Sequence, residues 1–430
     1  MLNAAGQADI SARTRALHDR AIVIDTHVDT AQRLIYDRTF DLGARSRTGS
    51  IDIPRMREGG LDAAFFSIWL PGEVGGPEAV EQALQQIEAV RRAVRAHPDH
   101  LTLATSADEI RGAAASGKIA LLLGVEGGHM IDGDLGVLRR YAALGLRYLT
   151  LTHTRNTAWA DSSGDRPVHN GLTSFGRDVV RELNRLGVMV DVSHVADETF
   201  YDALETTTAP IIASHASARA IADSPRNLTD DMMRALARDG GVVMITYHVA
   251  FLSERFRTAP RSAALRRETE NASKACGANQ ACAILERQRI DQEAMRKGRL
   301  PAVGWEWIVE HIAHAVKVAG IDHVGLGSDF DGATMPLGME DASMLPKITG
   351  ALLARGYPEA DVEKILGGNV LRVMEQVDRV GNGSAGGAGG LTGRGSRRAP
   401  RRRSPGPPGR IASGGSACRT TPAAAPSPPP

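Results

Sequence analysis

Candidate metal ligands occur where short apolar runs of this sequence end. In VIDTHVDT, residues 23–30, an apolar run is followed by His27 and, two positions later, by Asp29. Side chains at positions i and i+2 of a β-strand leave the same face, so this imidazole and carboxylate would converge on one point and can hold a metal ion. A single histidine and aspartate at this spacing are also typical of a strand that ends in a polar turn. Comparable apolar runs end in Glu126, His153, His194, His215, Asp329 and Asp331. Because the pattern recurs, we interpret these residues as a metal site.

The types of these residues indicate which metal would bind. Histidine nitrogen combined with carboxylate oxygen suits zinc and similar transition ions, whereas a magnesium or calcium site would consist mainly of oxygen ligands. A single catalytic zinc keeps one coordination position open for water, and five candidate ligands exceed what it uses. We therefore expect two metal ions that share a bridging carboxylate.

The strands that would carry these residues are predicted from eight short apolar runs. They lie at residues 21–27, 61–70, 119–127, 146–153, 188–194, 209–215, 240–248 and 322–330. Segments with helical periodicity, such as 77–97 and 174–187, lie between them. Apolar strands that alternate with helices favour an α/β fold with a parallel sheet, and eight such units predict a (β/α)8 TIM-like barrel, with a doubly wound open sheet as the alternative. The carboxyl ends of barrel strands form one face, so the candidate residues would meet there.

Composition divides the chain near residue 380. Residues 1–380 hold all the apolar runs and are predicted to form a single domain, with a charged helical excursion at about 251–303. Residues 381–430 are rich in Gly, Pro, Ser and Arg, so we expect a disordered C-terminal tail. The Arg cluster at 397–403 is interpreted as part of that solvated tail. The formal net charge of the whole chain is only +1, so we expect no nucleic-acid partner.

Two features bear on the cellular compartment. The N-terminal stretch lacks the apolar centre of a signal peptide, and no apolar run is long enough to span a bilayer. We therefore expect no transmembrane segment and a cytoplasmic location, with the periplasm or cell envelope as the alternative. Cys276 and Cys282, in CGANQAC, leave that alternative open. A disulfide between them would indicate an oxidising compartment, and two free thiols would not.

Several longer motifs of this chain resemble those of one enzyme family. The motifs are VIDTHVDT, GVEGGH, YLTLTHTRNTAWADS, DVSH, ASHASARAI, SPRNLTDD and HVGLGSDFDG. In this order, from about residue 17 to about residue 378, they resemble the membrane-dipeptidase (renal dipeptidase-like) family of zinc peptidases. The resemblance implies a (β/α)8 barrel of the metal-dependent hydrolase type with a binuclear zinc centre. It also implies the hydrolysis of dipeptides that carry a free C-terminal carboxylate.

The resemblance assigns a role to each candidate metal ligand. It implies that His27 and Asp29 bind one zinc ion and that His194 and His215 bind the other. Glu126 would then bridge the two ions. All five are among the residues to which the strand-end pattern points.

Three further residues acquire substrate and catalytic roles from the resemblance. His153 would lie beside the substrate carbonyl as a hydrogen-bond donor, Arg226 would bind the substrate carboxylate, and Asp329 would transfer protons. A hydroxide that bridges the two zinc ions would attack the peptide carbonyl, and Asp329 would pass a proton to the departing amine. In the fourth-strand motif of the family, a Cys commonly stands two residues after the His. This chain has Arg155 at that position, so the preference of the substrate subsites stays open.

Other functions compete with the dipeptidase. A different binuclear amidohydrolase would act on a non-peptide amide such as a β-lactam, but relatives of that class commonly bridge their metals with a carboxylated lysine. Lys118 lies at the wrong end of its strand for this role. A metal carrier without catalysis would need the ligands but not Asp329, His153 or Arg226. The family often forms dimers, so a homodimer is possible.

Four histidines and one carboxylate outside these sets have less specific interpretations. His129, His311 and His314 are interpreted as structural, and for His248 a substrate role is possible but unsupported. Asp331 is expected to cap the turn after the eighth strand, with the following glycine completing it.

Overall fold

The computed structural model describes residues 10–388, with side chains to 383, and its central element is a parallel β-sheet. Nine strands form this sheet: β1 Ile24–Val28, β2 Ala63–Trp69, β3 Leu101–Leu103, β4 Ile119–Glu126, β5 Leu146–Thr150, β6 Met189–Asp191, β7 Ile212–Ala216, β8 Val242–Ile245 and β9 Val324–Leu326. Eight of them coincide with the eight predicted runs. The ninth, β3, was not predicted and pairs only with β4 at the side of the sheet.

The order of the strands shows that the sheet curls into a barrel. Neighbours follow the sequence β1-β2-β4-β5-β6-β7-β8-β9, and every pair is parallel. Beyond the end of β9, Phe330 forms a parallel bridge with Val28 of β1. The amide of Asp29 donates to the carbonyl of Phe330 at 2.8 Å, which joins the last strand to the first. The predicted (β/α)8 barrel is confirmed, and the doubly wound alternative is excluded.

Helices surround the barrel on its outer side. In chain order they are α1 Ala12–Arg20, α2 Ala31–Tyr36, α3 Ile53–Glu58, α4 Gly76–Ala96, α5 Ala107–Ala115, α6 Leu135–Ala143, α7 Ser174–Leu186, α8 Asp197–Thr206, α9 Asp230–Arg238, α10 Val249–Leu252, α11 Glu254–Arg257, α12 Ala263–Cys276, α13 Gln280–Arg296, α14 Glu306–Ala319, α15 Pro346–Ala354, α16 Glu359–Glu363 and α17 Asn369–Ala388. Short 3₁₀ turns occur at Gly128–Ile131, Ile321–His323 and Ala342–Met344, and a π-helical turn at Lys364–Gly368 joins α16 to α17.

Helix boundaries follow local sequence signals. Thr173 precedes α7, and its side chain accepts a hydrogen bond from the amide of Gly176, which satisfies a free donor of the first turn. The helix ends at Gly187, whose φ of 64° is readily adopted by glycine. Thr229 caps α9 in the same way. These signals explain why the predicted helical segment 174–187 matches the structure so closely.

The strands are mainly apolar because both of their faces are buried. On β2, Phe65 belongs to a cluster inside the barrel and Phe66 to a cluster between the sheet and the helices. Residues of α17, such as Val370 and Met374, join the inner cluster at the amino-terminal ends of the strands. The opposite, carboxyl-terminal end is therefore left for polar side chains.

The predicted excursion after the seventh strand is helical and packs on the barrel mouth. It comprises α10 to α13, and a disulfide joins Cys276 at the end of α12 to Cys282 in α13. The side-chain amide of Asn279, between the two helices, donates to the carbonyl of Tyr36 at 2.9 Å. Arg261 forms a two-pronged ion pair with the buried Asp291 of α13, at 2.8 and 2.6 Å. Through Asn279, the excursion is thus attached to the end of α2.

The expected tail boundary can be compared with the end of α17. This helix continues to Ala388, past the expected boundary at 380, and Gly381 packs directly on the turn at Gly187. Residues 10–388 belong to one compact unit, and the remainder of the expected tail, 389–430, lies outside the described residues. Within residues 10–388, no helix is long and apolar enough to cross a bilayer.

Candidate metal centre

The predicted site residues lie together at the carboxyl-terminal mouth of the barrel. His27 lies within β1, Glu126 is the last residue of β4, and His215 lies within β7. The others follow the ends of β1, β5, β6 and β9 within three residues, and they are Asp29, His153, His194 and Asp329. Residues far apart in sequence thus meet because parallel strands end at one face.

Glu126 is the centre of this arrangement. Its Oε1 atom lies 2.9 Å from Nε2 of His194 and 3.3 Å from Nε2 of His215. The same oxygen is 3.7 Å from Nε2 of His153, and the second carboxylate oxygen is 3.4 Å from Nε2 of His27. Four imidazoles from four strands therefore face one buried carboxylate.

Several buried atoms at this point have lone pairs or protons that no protein group satisfies. Within the described part of the chain, His27 Nε2 and Asp29 Oδ1 are buried without a hydrogen-bond partner, and they lie 3.6 Å apart. Nε2 of His194 and Nε2 of His215 are 3.0 Å apart. Converging nitrogen and carboxylate atoms of this kind fit a transition metal ion, which would satisfy all of them at once.

Three overlapping groups of side chains are close enough to share an ion. In each group, one ligand atom per residue lies within 4.8 Å of the others. The groups are His27, Glu126 and His215; Glu126, His153 and His194; and His27, Asp29 and Asp329. Glu126 belongs to two of them, as a bridging ligand would.

The protonation of the site follows from burial and charge. Burial favours the neutral form of Glu126, but the surrounding histidines outweigh it and hold the pKa of this carboxyl well below its usual range. Burial, followed by the charge of Arg226, lowers the pKa of His194 well below its ordinary value. Burial, followed by the charge of His27, also lowers the pKa of His215 well below its ordinary value. Neutral imidazoles beside an ionised carboxylate are the forms that bind metal.

His27 behaves differently from the other two histidines. Burial opposes a charge on its ring. The oxygens of Tyr148, Glu126 and Asp29 outweigh burial, and the pKa of this imidazole is raised well above its ordinary value. The surroundings of His27 Nε2 therefore favour a positive charge at this point, and a bound metal cation would supply it.

Arg226 reaches the edge of this cluster from the loop before α9. Its Nη2 donates to the backbone carbonyl of His215 at 2.7 Å. Its Nε and Nη1 atoms are buried and have no hydrogen-bond partner among the residues that the structure describes. Burial lowers the pKa of the guanidinium to about 10, so it keeps its charge at neutral pH. A buried cation with unpaired donors can bind a carboxylate.

Asp329 and His153 lie on opposite sides of the metal cluster. Asp329 is grouped with His27 and Asp29, and burial, followed by the Asp29 carboxylate, raises the pKa of Asp329 well above its usual value. His153 packs its ring against Trp69, with ring centroids 5.6 Å apart. Its Nδ1 atom is buried without a hydrogen-bond partner in the described residues.

The backbone at the site is unusual at two predicted residues. His194 has a φ of 66° and Asp329 a φ of 69°, in the left-handed region that non-glycine residues rarely occupy. Gly332 is needed nearby for a different reason, because a Cβ at this position would come within 1.6 Å of Asp29 Oδ2. The backbone thus turns sharply just after the strands, where the polar side chains of the site lie.

The remaining residues singled out in the sequence lie around the site. Asp331 accepts hydrogen bonds from the Ser50 amide at 2.6 Å and from the Thr30 hydroxyl at 2.8 Å. Its carboxylate therefore joins the segment after β1 to the end of the last strand instead of capping its own turn. His311 is fully buried, with hydrogen bonds of 3.0 Å to the amide of Ala218 and to the carbonyl of Leu252, as a structural histidine would be.

Three further histidines occupy less central positions. His314 pairs with Asp230 at 2.7 Å. His248 contacts Phe251 with its ring, at a centroid distance of 4.6 Å, and the guanidinium of Arg226 lies over the same phenylalanine. Burial lowers the pKa of His129 to about 4.

Sequence reasoning missed a layer of residues beneath the candidate ligands. Tyr148 contacts His27, Ser67 donates to Glu126 at 3.1 Å, and Ser214 contacts His215. Each is a polar residue inside an apolar strand, and a serine or tyrosine in a strand buried on both faces is the signal that could have identified it.

Comparisons with known proteins agree with this geometry. The family model for membrane dipeptidase, peptidase family M19, matches residues 11–386. Dipeptidase 3 of Mus musculus is 34% identical over 374 residues, which cover 85% of this chain and 66% of that protein. This chain therefore spans about two thirds of the length of that relative.

Two solved structures share the fold at similar levels of identity. The probable dipeptidase PvdM from Pseudomonas aeruginosa is 29% identical, with a TM-score of 0.70 over 86% of this chain and 98% of that one. A metallo peptidase from Rhodobacter sphaeroides, liganded with a phosphinate mimic of the dipeptide L-Ala-D-Ala, is 28% identical, with a TM-score of 0.69 over 83% of this chain and 99% of that one.

Proposed function

This chain belongs to the membrane dipeptidase family, peptidase family M19, and from that membership we propose that it is a zinc-dependent dipeptidase. The substrates are dipeptides with a free C-terminal carboxylate. The observation that carries the proposal is the convergence of four histidines on the buried carboxylate of Glu126. Mixed nitrogen and oxygen ligands select zinc over magnesium or calcium.

The proposed centre holds two zinc ions. His27 and Asp29 would hold one ion, His194 and His215 would hold the other, and Glu126 would be the ligand that both share. When bound, such a pair of ions polarises the scissile carbonyl and supplies a hydroxide nucleophile near neutral pH. The bridging role is supported by the position of Glu126, whose two oxygens face histidines from opposite walls of the barrel.

The side chains around the metal positions bind the substrate and move its protons. The buried guanidinium of Arg226 binds the C-terminal carboxylate through a donor that has no partner among the described residues, Nε or Nη1. His153, at the rim of the site, donates a hydrogen bond to the carbonyl oxygen as negative charge develops on it. Asp329 accepts the proton of the attacking water on its carboxylate and gives it to the nitrogen of the departing amine.

Metal analysis and substrate profiling test the proposal together. The purified protein is loaded with zinc, its metal content is measured, and it is assayed on a dipeptide library that includes L-Ala-D-Ala, because a mimic of this dipeptide is bound by the Rhodobacter sphaeroides relative. We expect two zinc ions per chain and cleavage of dipeptides but not of tripeptides or amidated dipeptides. Hydrolysis of non-peptide amides without any dipeptidase activity would refute the proposal, as would activity that survives removal of the metal.

A further inference from the structure

We propose that Ser214 and Tyr148 are positioning residues of the metal centre. Each buried hydroxyl holds one histidine so that its Nε2 faces the ion as an unprotonated ligand. The inference rests on the proposed function, because it concerns the histidines of the proposed zinc centre. It assigns separate supports to the two ions, through His215 for one and His27 for the other.

The contacts of Ser214 determine which nitrogen of His215 carries the proton. The Ser214 hydroxyl lies 2.6 Å from Oδ2 of Asp191 and 2.9 Å from Nδ1 of His215. A serine hydroxyl has one proton, and an ionised carboxylate can only accept. The proton of Ser214 therefore points to Asp191, and its lone pair accepts the Nδ1 proton of His215. Nε2 of His215 is left without a proton, 3.3 Å from Glu126 Oε1.

Asp191 is itself held rigidly, so it can act as the anchor of this chain of hydrogen bonds. It is fully buried at the end of β6. The backbone amides of Ser193 and Ser214 donate to its Oδ1 at 3.0 and 2.8 Å, and the Thr150 hydroxyl donates to Oδ2 at 2.5 Å. A carboxylate that orients a ligating histidine through an intermediate group is a recurrent support of metal sites.

Tyr148 provides the corresponding support for His27 through a neutral group. Its hydroxyl lies 2.8 Å from Nδ1 of His27, and both side chains are fully buried. The ring is fixed by its neighbours, because it stacks on Phe65 at 5.5 Å and fills the space above Gly124, where a Cβ would come within 2.0 Å of it. When His27 Nε2 binds a cation, Nδ1 carries the proton and donates it to the phenol oxygen.

Removal of either hydroxyl should weaken metal binding without unfolding the protein. In Ser214→Ala, His215 can exchange its proton between the two nitrogens and rotate. In Tyr148→Phe, the imidazole of His27 loses its only hydrogen-bond partner outside the metal cluster in the described residues. Loss of such a supporting contact typically costs about 10–100-fold in metal affinity. Each variant should lose affinity for one zinc ion and keep the other.

Two matched controls remove a buried hydroxyl elsewhere. Tyr247→Phe makes the same change as Tyr148→Phe, and the Tyr247 hydroxyl is buried without a hydrogen-bond partner among the described residues. Ser217→Ala matches Ser214→Ala, because the buried Ser217 follows β7 and makes only a long 3.4 Å hydrogen bond to the Thr246 carbonyl through its hydroxyl. Among the described residues, neither control side chain forms a hydrogen bond or a ring contact with a candidate ligand.

The experiment measures stepwise zinc dissociation in competition with a chromophoric chelator, together with thermal unfolding of each apoprotein. We expect one of the two dissociation constants to rise by about 10–100-fold in each test variant, with apoprotein melting temperatures equal to those of the controls. If the wild type binds two zinc ions and the test variants bind them as tightly as the controls, the inference is wrong while the proposed function stands. A lowered apoprotein melting temperature with unchanged zinc affinity would also refute it, by showing a purely structural role. A wild type that binds no zinc would refute the proposed function and this inference together.

Discussion

Replacement of Arg226 by methionine should abolish the preference for a free C-terminal carboxylate. Arg226 has two buried donors, Nε and Nη1, without hydrogen-bond partners in the described residues. Nε and Nη1 point to different sides of the guanidinium, so one substrate carboxylate can accept from only one of these two donors, and a hydrogen bond to a charged group contributes about 1.5–3 kcal/mol. Therefore kcat/KM for a dipeptide should fall by about 10–10² in Arg226→Met, at about 1.4 kcal/mol for each factor of ten.

The assay compares each dipeptide with its C-terminal amide in the wild type and in the variant. The wild type should cleave the amide poorly, and Arg226→Met should cleave acid and amide at similar, low rates. Arg226→Lys serves as the intermediate case, because lysine keeps the charge but lacks the planar pair of donors. Zinc content is measured in parallel, since Arg226 also donates to the backbone carbonyl of His215. If the variant loses the same factor on the amide as on the acid at full zinc content, Arg226 does not bind the carboxylate.

Three other changes test separate parts of the argument. Asp329→Asn should lower turnover by about 10²–10⁴-fold and keep its zinc. His27→Ala should lose both turnover and zinc. Loss of zinc from Asp329→Asn would show that Asp329 is a metal ligand. Burial lowers the pKa of His311 to about 4 from its ordinary 6.5, so the unfolded chain takes up this proton first as the pH falls. The free energy of unfolding should therefore drop by about 1.4 kcal/mol per pH unit between these values, and urea titrations of His311→Asn should show a shallower decline. A chain that ends after Ala388 should keep its melting temperature and activity, and a large loss of either would show that residues 389–430 contribute to the fold.

Much of the barrel can be predicted from the sequence because its strands are buried on both faces. Such strands appear as short continuous apolar runs, and all eight barrel strands were located in this way. The segments at 77–97 and 174–187 correspond to α4 and α7, whose apolar positions recur with helical spacing. The missed strand, β3, has three residues, two of them only partly buried, and is too short to produce a periodic signal.

The candidate site was predictable to the extent that its residues follow strand ends. Because all barrel strands end at one face, residues at the ends of different strands become neighbours. The structure accordingly brings the seven candidates at the strand ends together. The supporting layer was not predictable, because the pairing of Ser214 with Asp191, or of Tyr148 with His27, depends on strand register and ring orientation. The Cys276–Cys282 disulfide, present in the structure, was left open because spacing alone does not distinguish a bridge from two thiols.

The left-handed backbone at His194 and Asp329 has a consequence for the evolution of this family member. A non-glycine residue in this region carries a steric cost of about 1 kcal/mol or more, which glycine does not. Substitution of either residue by glycine would therefore relieve strain in the fold while it removes a side chain from the site. Selection for stability alone would favour glycine at both positions, so under the proposed function stability and activity impose opposite demands on these two residues.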